Sequence, residues 1–269
     1  MAWFKAAAIG MDVSIVDETA DICGLALQGP TSFSILNTLG LSGIDELRPF
    51  GLSTYDFQGT DIMVSRTGFT GDLGYELWID PDHAELLWDR LFESGNTRGI
   101  RAMGSNALEM LRIEAGFILA GADFLPAMEA VRPTHTRSPF ELGLGWLVSF
   151  EKGVFNGRKA LLEEKENGSR YHLVKLDIDD NKPAKDSFVF TKKGKYAGTV
   201  TSAMWSPSAK ASIALASLDA PHGKPGEEFE VEIYYQRELK WNRVMAPCRV
   251  VKDVFWNPPR RRQTPPADF

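Results

Sequence analysis

Apolar residues recur at helical spacing in several segments of the first part of the chain. In 81–95 they fall on one face and Gly95 follows, which predicts an amphipathic helix. The segment 104–121 predicts a second long helix, and shorter helices are predicted over 31–40 and 156–168.

Between these helices, apolar and polar positions alternate as they do in strands. Strands are predicted over 11–19, 22–30, 74–80 and 138–150, and 53–71 predicts a hairpin that turns at Gln58-Gly59. From Tyr171 onward, short alternating segments are separated by Gly, Pro, Lys and Asp, which is typical of an antiparallel barrel or sandwich. The sequence therefore predicts an α+β first domain over 1–168 and an antiparallel β domain over 169–255.

A Pro- and Arg-rich tail over 256–269 completes this division. Its basic run, Arg260-Arg261-Arg262, is interpreted as a solvated terminus. Elsewhere lysine and arginine are scattered and the net charge is −6, which argues against nucleic acid as a partner.

Composition excludes several other classes of protein. The 269 residues are 43% hydrophobic, which is enough for a substantial core, but no apolar run reaches membrane-spanning length. The two cysteines, Cys23 and Cys248, are far apart and predict neither a disulfide framework nor a thiolate metal site. The four histidines show no paired spacing, so no metal centre is predicted. Cysteine usage favours a reduced, cytoplasmic setting.

The stretch SRTGFTGDLGYELWI, 65–79, places three glycines just before a strand. Such a cluster indicates turns with positive φ or a backbone that something approaches closely. In the strand that follows, Glu76 and Trp78 share one face. They are either the polar face of a half-exposed strand, or a carboxylate and a ring that bind a flat heterocycle.

Two arginines leave a similar choice open. Arg66 precedes the glycines, and Arg112 lies in the predicted helix two residues before Glu114. Each is either a structural ion pair or clamp, or a contact for an anionic ligand.

Five motifs, in this order, resemble the aminomethyltransferase (glycine cleavage system T-protein) superfamily. They are ALQGP at 26–30, SRTGFTGDLGYEL at 65–77, LRIEAGF at 111–117, LGLGWLVSF at 142–150 and KGVFNGRKAL at 152–161. The resemblance implies a T-protein-like folate-binding domain, incomplete at its N-terminus, followed by an antiparallel β-barrel domain. It also implies tetrahydrofolate as the cofactor, and transfer of a methyl or aminomethyl group to folate from a small amine, sulfonium or ether donor.

The resemblance also suggests where folate would bind. It places the family's pterin-binding glutamate at Glu76, and it assigns no residue of this chain to catalysis. The full set of expected cofactor contacts is Glu76, Phe69, Arg66, Tyr75, Arg112 and Trp78.

Three positions depart from parts of the family. Phe69 stands where many T-proteins have tyrosine, Leu108 where the aminomethyltransferases proper carry arginine, and Val154 where the iron–sulfur-maturation branch has cysteine. The segment SNALEMLR resembles more closely the catabolic branch of the family, which contains dimethylglycine dehydrogenase-type and demethylase relatives.

Family members also carry a leading segment before the equivalent of Met1. Its loss should expose apolar surface, so we expect a homo-oligomer or unusual packing. A flavoprotein partner is expected if the chain is a folate domain of a larger complex. The alternative function is a non-catalytic folate-binding protein, or the folate domain of a larger flavoprotein complex.

Overall fold

The computed structural model describes residues 1–132 and 135–263, and these form two compact units. The first unit contains residues 1–103 and the described residues of 258–269, and the second contains 104–257. The domain boundary at 168 was predicted from the sequence pattern, and it stays a prediction.

The first unit is built on a four-stranded antiparallel sheet, with three α-helices among its described residues. Its strands are β1 (Cys23–Gln28), β2 (Leu52–Phe57), β3 (Thr60–Ser65) and β4 (Gly74–Ile79), in the spatial order β1-β4-β3-β2. Its helices are α1 (Ala2–Ala7), α2 (Ser32–Leu39) and α3 (Ala84–Gly95). Gln58 and Gly59 both have positive φ, which gives the predicted two-residue turn between β2 and β3.

One face of this sheet forms the core of the first unit. Tyr75, Leu77 and Ile79 of β4 are buried there, and they belong to the same apolar cluster as Leu36 of α2 and Leu87 of α3. The period-2 alternation of the strand and the period-3.6 spacing of the helices therefore meet in one buried layer. The opposite face of β4 carries the half-buried Glu76 and the exposed Trp78.

The second unit contains the β-barrel predicted from the sequence, which is confirmed. Its strands, all antiparallel to their neighbours, close in the order β10-β5-β8-β7-β6-β9. They are β5 (Tyr171–Ile178), β6 (Phe188–Thr191), β7 (Tyr196–Ser206), β8 (Ala211–Asp219), β9 (Glu228–Arg237) and β10 (Lys240–Val251). Helix α4 (Ser105–Glu114) contacts β7 and β8 and so belongs to the unit of the barrel; α5 is Arg158–Asn167.

Three predicted elements differ from the structure. The segment 11–19 forms no strand, and its side chains are largely exposed. The predicted strand 138–150 is instead made of turns and a short 3-10 helix, Gly145–Leu147, because Gly143 has positive φ and Gly145 leaves space for the ring of Phe140. The predicted helix 104–121 ends at 114, since Gly116 adopts φ +70°. None of the helices in the described ranges has the length and apolar character that crossing a bilayer requires.

Candidate functional site

The side of the first unit's sheet that faces away from its core carries the predicted carboxylate. We call it the Glu76 face; it comprises Gly24, Ala26 and Gln28 of β1, Met63 and Ser65 of β3, and Glu76 and Trp78 of β4. Two hollows on the barrel surface, of about 500 and 800 Å³, share no residue with it. The candidate site is therefore argued from the chemistry of this face.

The carboxylate of Glu76 is held by two hydroxyl groups. Thr67 Oγ1 donates to Glu76 Oε2 at 2.6 Å, and Ser65 Oγ reaches the same oxygen at 3.1 Å. The two hydroxyl oxygens are themselves 2.7 Å apart. Within the described ranges, Glu76 Oε1 accepts no hydrogen bond. One carboxylate oxygen is thus fixed by the protein, and the other retains its capacity to accept N–H donors from a ligand.

Trp78 is oriented by a glycine on the neighbouring strand. Gly24 pairs with Trp78 across β1 and β4, and a Cβ at Gly24 would lie 3.1 Å from the indole ring. The ring therefore lies across the place where residue 24 has no side chain. With 37% of its surface exposed, Trp78 offers an aromatic plane on the same face as Glu76.

The glycines around the start of β4 match the two predicted reasons: Gly71 has positive φ, and another group approaches Gly68 and Gly74 closely. A Cβ at Gly68 or at Gly74 would lie 2.0 Å from Gln28 Oε1, so the carboxamide of Gln28 fills the space beside both glycines. Gln28 Nε2 donates to the carbonyl oxygens of Thr67 and Tyr75, at 3.4 and 3.3 Å. The group that approaches these two glycines is therefore the side chain of Gln28.

The middle of the glycine turn is fixed by an ion pair with the tail. Arg260 Nε and Nη2 donate to the two carboxylate oxygens of Asp72 at 2.7 and 2.6 Å. This bidentate contact raises the pKa of the Arg260 guanidinium. The interpretation of the basic run as a solvated terminus is therefore wrong for Arg260. Phe69, a predicted folate contact, lies half-buried in the same turn.

Two other predicted contacts lie away from the carboxylate. Arg66 is buried at the entry to the turn, where its Nη1 donates to the carbonyl oxygen of Leu47 at 3.0 Å. Tyr75 lies on the core face of the sheet with no exposed surface, and burial raises its pKa to about 12. A direct contact between Tyr75 and a ligand on the Glu76 face is not favoured by this position, so it stays a prediction.

Arg112 lies in the second unit, and the structure supports the ion-pair interpretation of it. Its five N–H donors all have partners: the two oxygens of Glu109, the carbonyl oxygen of Phe117, Asp123 Oδ2 and Ser202 Oγ. Neither Arg112 nor Asp123 has any exposed side-chain surface. The alternative, a contact with an anionic ligand, would require one of these bonds to break.

Comparison with known proteins identifies the family of the chain. The model of the GCVT N-terminal domain matches residues 1–152, and that of the glycine cleavage T-protein C-terminal barrel domain matches 172–256. The chain belongs to the glycine cleavage T-protein family. The resemblance of its five motifs and the α+β fold with a barrel are thereby confirmed.

Individual relatives support the same assignment. An aminomethyltransferase of Desulfitobacterium hafniense is 33% identical over 86% of this chain and 61% of its own length. An aminomethyltransferase of Synechococcus sp. is 36% identical over 95% of this chain and 64% of its own length. A trimethylamine-oxide aldolase of Ruegeria pomeroyi is 35% identical over 96% of this chain and 32% of its own length.

A solved structure shares the fold. The crystal structure of glycine cleavage system aminomethyltransferase T from Bartonella henselae superposes with a TM-score of 0.77 at 27% identity. The match covers 95% of this chain and 65% of the Bartonella henselae chain. The chain thus spans about three fifths of the length of the aminomethyltransferases that it resembles.

Sequence reasoning missed the roles of five residues in this arrangement. Gln28 is part of the ALQGP motif, and Ser65 and Thr67 stand two residues apart in SRTG. Both motifs therefore contained polar residues that could have been considered as part of the site. Two residues at that spacing at a strand end face the same side, which could have suggested that the hydroxyls meet. The contact of Asp72 with Arg260 joins residues 188 positions apart and leaves no local pattern.

Proposed function

We propose that this protein binds tetrahydrofolate and transfers a methyl or aminomethyl group to it from a small donor. The single observation that carries the proposal is the carboxylate of Glu76, whose Oε2 is held by two hydroxyls while Oε1 accepts no bond from the described residues. A pterin presents neighbouring N–H donors along one edge, and a carboxylate is the side chain that accepts such donors best. The family of the chain supports the same ligand.

The chain's own residues would contribute binding and orientation. Ser65 and Thr67 fix the carboxylate, so little rotamer freedom is lost when a ligand binds to it. Trp78 offers a plane on which a bicyclic ring can stack next to that carboxylate. Holding the ring in one orientation brings its nucleophilic nitrogen to the donor carbon, and such positioning can contribute several kcal/mol to a bimolecular reaction.

The donor is proposed as a class: a small amine, sulfonium or ether that carries a one-carbon group. Methylated amines are the first members to test, because the relative named trimethylamine-oxide aldolase aligns with nearly the whole chain. In the reaction, a folate nitrogen forms a bond to the one-carbon group while the donor's bond to that group breaks. The leaving amine, sulfide or alcohol oxygen keeps the bonding pair, and the proton lost by the folate nitrogen goes to the leaving group or to solvent.

Calorimetric titration with tetrahydrofolate tests the binding half of the proposal. Replacing Glu76 by glutamine removes the charge but keeps the shape, and it should cost about 2 kcal/mol, or roughly thirtyfold in Kd. Glu85→Gln, an exposed change on α3 in the same unit, is the matched control and should leave Kd unchanged. Absence of binding by the unsubstituted protein, or equal binding by the Glu76 variant, would refute the proposal.

A second candidate function is favoured by one observation. Nearly the whole chain aligns with about a third of the trimethylamine-oxide aldolase, so a region like this one occurs within a longer protein. Under this candidate the chain is a non-catalytic folate-binding protein, or a folate domain that serves a flavoprotein partner. It would then bind tetrahydrofolate, yet by itself form neither methyl- nor methylene-tetrahydrofolate from any donor of the class, whereas the first function requires one of these products.

A further inference from the structure

We propose that Gln28 is a positioning residue for Glu76, acting through the glycine turn and the hydroxyl of Thr67. This inference rests on the proposed function, because it assigns to Gln28 the orientation of the carboxylate that would bind the pterin. Gln28 itself would touch neither folate nor donor.

The contacts of the carboxamide form the first step. Gln28 lies at the end of β1, opposite Gly74 and on the same face as Glu76. Its Nε2 group donates to Thr67 O at 3.4 Å and to Tyr75 O at 3.3 Å, and its Oε1 accepts from Thr70 Oγ1 at 3.2 Å. One side chain therefore connects both ends of the turn and its middle.

The position of the two bonded carbonyl groups is the second step. Thr67 is the residue whose hydroxyl makes the shorter bond to Glu76, at 2.6 Å, and Tyr75 directly precedes Glu76 in β4. The amide group of Gln28 thus joins the backbone that carries the donor to the backbone that carries the acceptor. Any shift of Thr67 relative to β4 would lengthen the Thr67–Glu76 bond.

The glycines show that the sequence accommodates this carboxamide. Residue 74 lies in a strand and has no positive φ, so its backbone alone does not demand glycine. A Cβ at 68 or 74 would overlap Gln28 Oε1 at 2.0 Å, far inside van der Waals contact. The space beside Gly68 and Gly74 and the side chain of Gln28 therefore form one fitted unit, and loss of either part should disturb the other.

The decisive experiment is a double-mutant cycle on tetrahydrofolate affinity. Gln28→Met keeps the length of the side chain but removes its hydrogen bonds. Thr67→Val removes the hydroxyl that donates a hydrogen bond to Glu76. Each single change should raise Kd about tenfold. Because both act on the same Thr67–Glu76 bond, the double variant should also be about tenfold weaker, whereas independent effects would multiply to about a hundredfold and would overturn the inference.

A second way of displacing the carboxamide guards against a folding defect in the Gln28 variant. Gly74→Ala puts a methyl group in the space of the carboxamide without altering residue 28, and it should weaken tetrahydrofolate binding as Gln28→Met does. Gln236→Met, on an exposed position of β9, is the control and should leave Kd unchanged. Normal affinity in a folded Gly74→Ala protein would overturn the inference.

A readout without ligand separates this inference from the proposed function. Hydrogen–deuterium exchange of the amides of 67–76 should be at least several-fold faster in Gln28→Met than in the unsubstituted protein, while exchange in the barrel is unchanged. If the unsubstituted protein binds no tetrahydrofolate, the proposed function fails, and exchange alone decides whether Gln28 holds the turn. Unchanged exchange in 67–76 would show that it does not.

Discussion

Replacement of Asp123 by alanine is the sharpest test of how the second unit is held together. The Asp123 carboxylate accepts four hydrogen bonds: Oδ2 from Arg112 and from the amide of Leu119, and Oδ1 from the hydroxyls of Thr201 and Ser202. It therefore joins helix α4 to strand β7 through one fully buried side chain. Alanine at this position removes the acceptor from all four donors, although the Thr201 hydroxyl also reaches another, the carbonyl oxygen of Leu215 at 3.1 Å.

The expected loss follows from burial. Removal of one partner of a buried ion pair costs about 3–5 kcal/mol, because the remaining charge is left without compensation in a medium of low dielectric constant. Here Glu109 still pairs with Arg112 and is itself 30% exposed, so the lower end of that range applies, about 3 kcal/mol. For a unit of this size such a loss lowers Tm by about 6–12 °C.

Urea unfolding followed by circular dichroism, together with a thermal melt, measures this loss. The control is Glu163→Ala, which removes the exposed partner of Lys159 in the same unit and should cost no more than about 0.5 kcal/mol. Asp123→Asn separates the contribution of the charge from that of the hydrogen bonds, because it can keep hydrogen bonds but loses the charge. Its loss of stability should lie between those of Asp123→Ala and Glu163→Ala. If Asp123→Ala destabilises the protein no more than the control does, the buried network is not what holds α4 to β7.

The remaining predictions concern the first unit. Tyr75→Phe should reduce the loss of stability at alkaline pH. Folding raises the pKa of the Tyr75 phenol from 10 to about 12, so the stability linked to this group is complete below pH 10 and is lost as the pH rises towards 12. The free energy of unfolding should fall by up to about 1.4 kcal/mol per pH unit in this range. Unfolding followed between pH 9 and 12 checks this, and an exposed control, Tyr234→Phe, should leave the slope unchanged. Arg260→Ala should cost about 1 kcal/mol in low salt and less in 1 M NaCl, because its bidentate pair with Asp72 is partly exposed and screened. The exposed control Arg237→Ala should show no such salt dependence, and an equal loss in both variants would contradict the role of the tail.

The sequence predicted the parts of the fold that depend on local periodicity. Alternation along 74–80 correctly placed Glu76 and Trp78 on one face and Tyr75 on the other, because side chains in a strand must alternate. The same reasoning failed for 138–150, where apolar residues also alternate with small ones. There, the left-handed φ of Gly143 and the ring of Phe140 packed at Gly145 turn the chain back on itself.

The arrangement around Glu76 was only half accessible from the sequence. The carboxylate and the indole belong to one strand, so their common face follows from spacing alone. The carboxamide that fills the glycine turn comes from β1, some 40 residues earlier, and its place depends on the register that sets Gln28 opposite Gly74. Register between distant strands is a tertiary property, and no local pattern in either segment specifies it.

The glycines of the turn show why a small residue is ambiguous evidence for a ligand. A residue without a side chain leaves space, and that space can serve either a bound molecule or another part of the protein. In this fold the space beside Gly68 and Gly74 is taken by Gln28, so glycine at these positions and glutamine at 28 depend on each other through volume. A related chain with alanine at 74 is therefore expected to carry a shorter side chain at 28, to turn the carboxamide aside or to move the turn, and in the last two cases the bonds from residue 28 that hold the turn are lost. The three positions, and not the glycines alone, carry information about whether the carboxylate is held ready for a ligand.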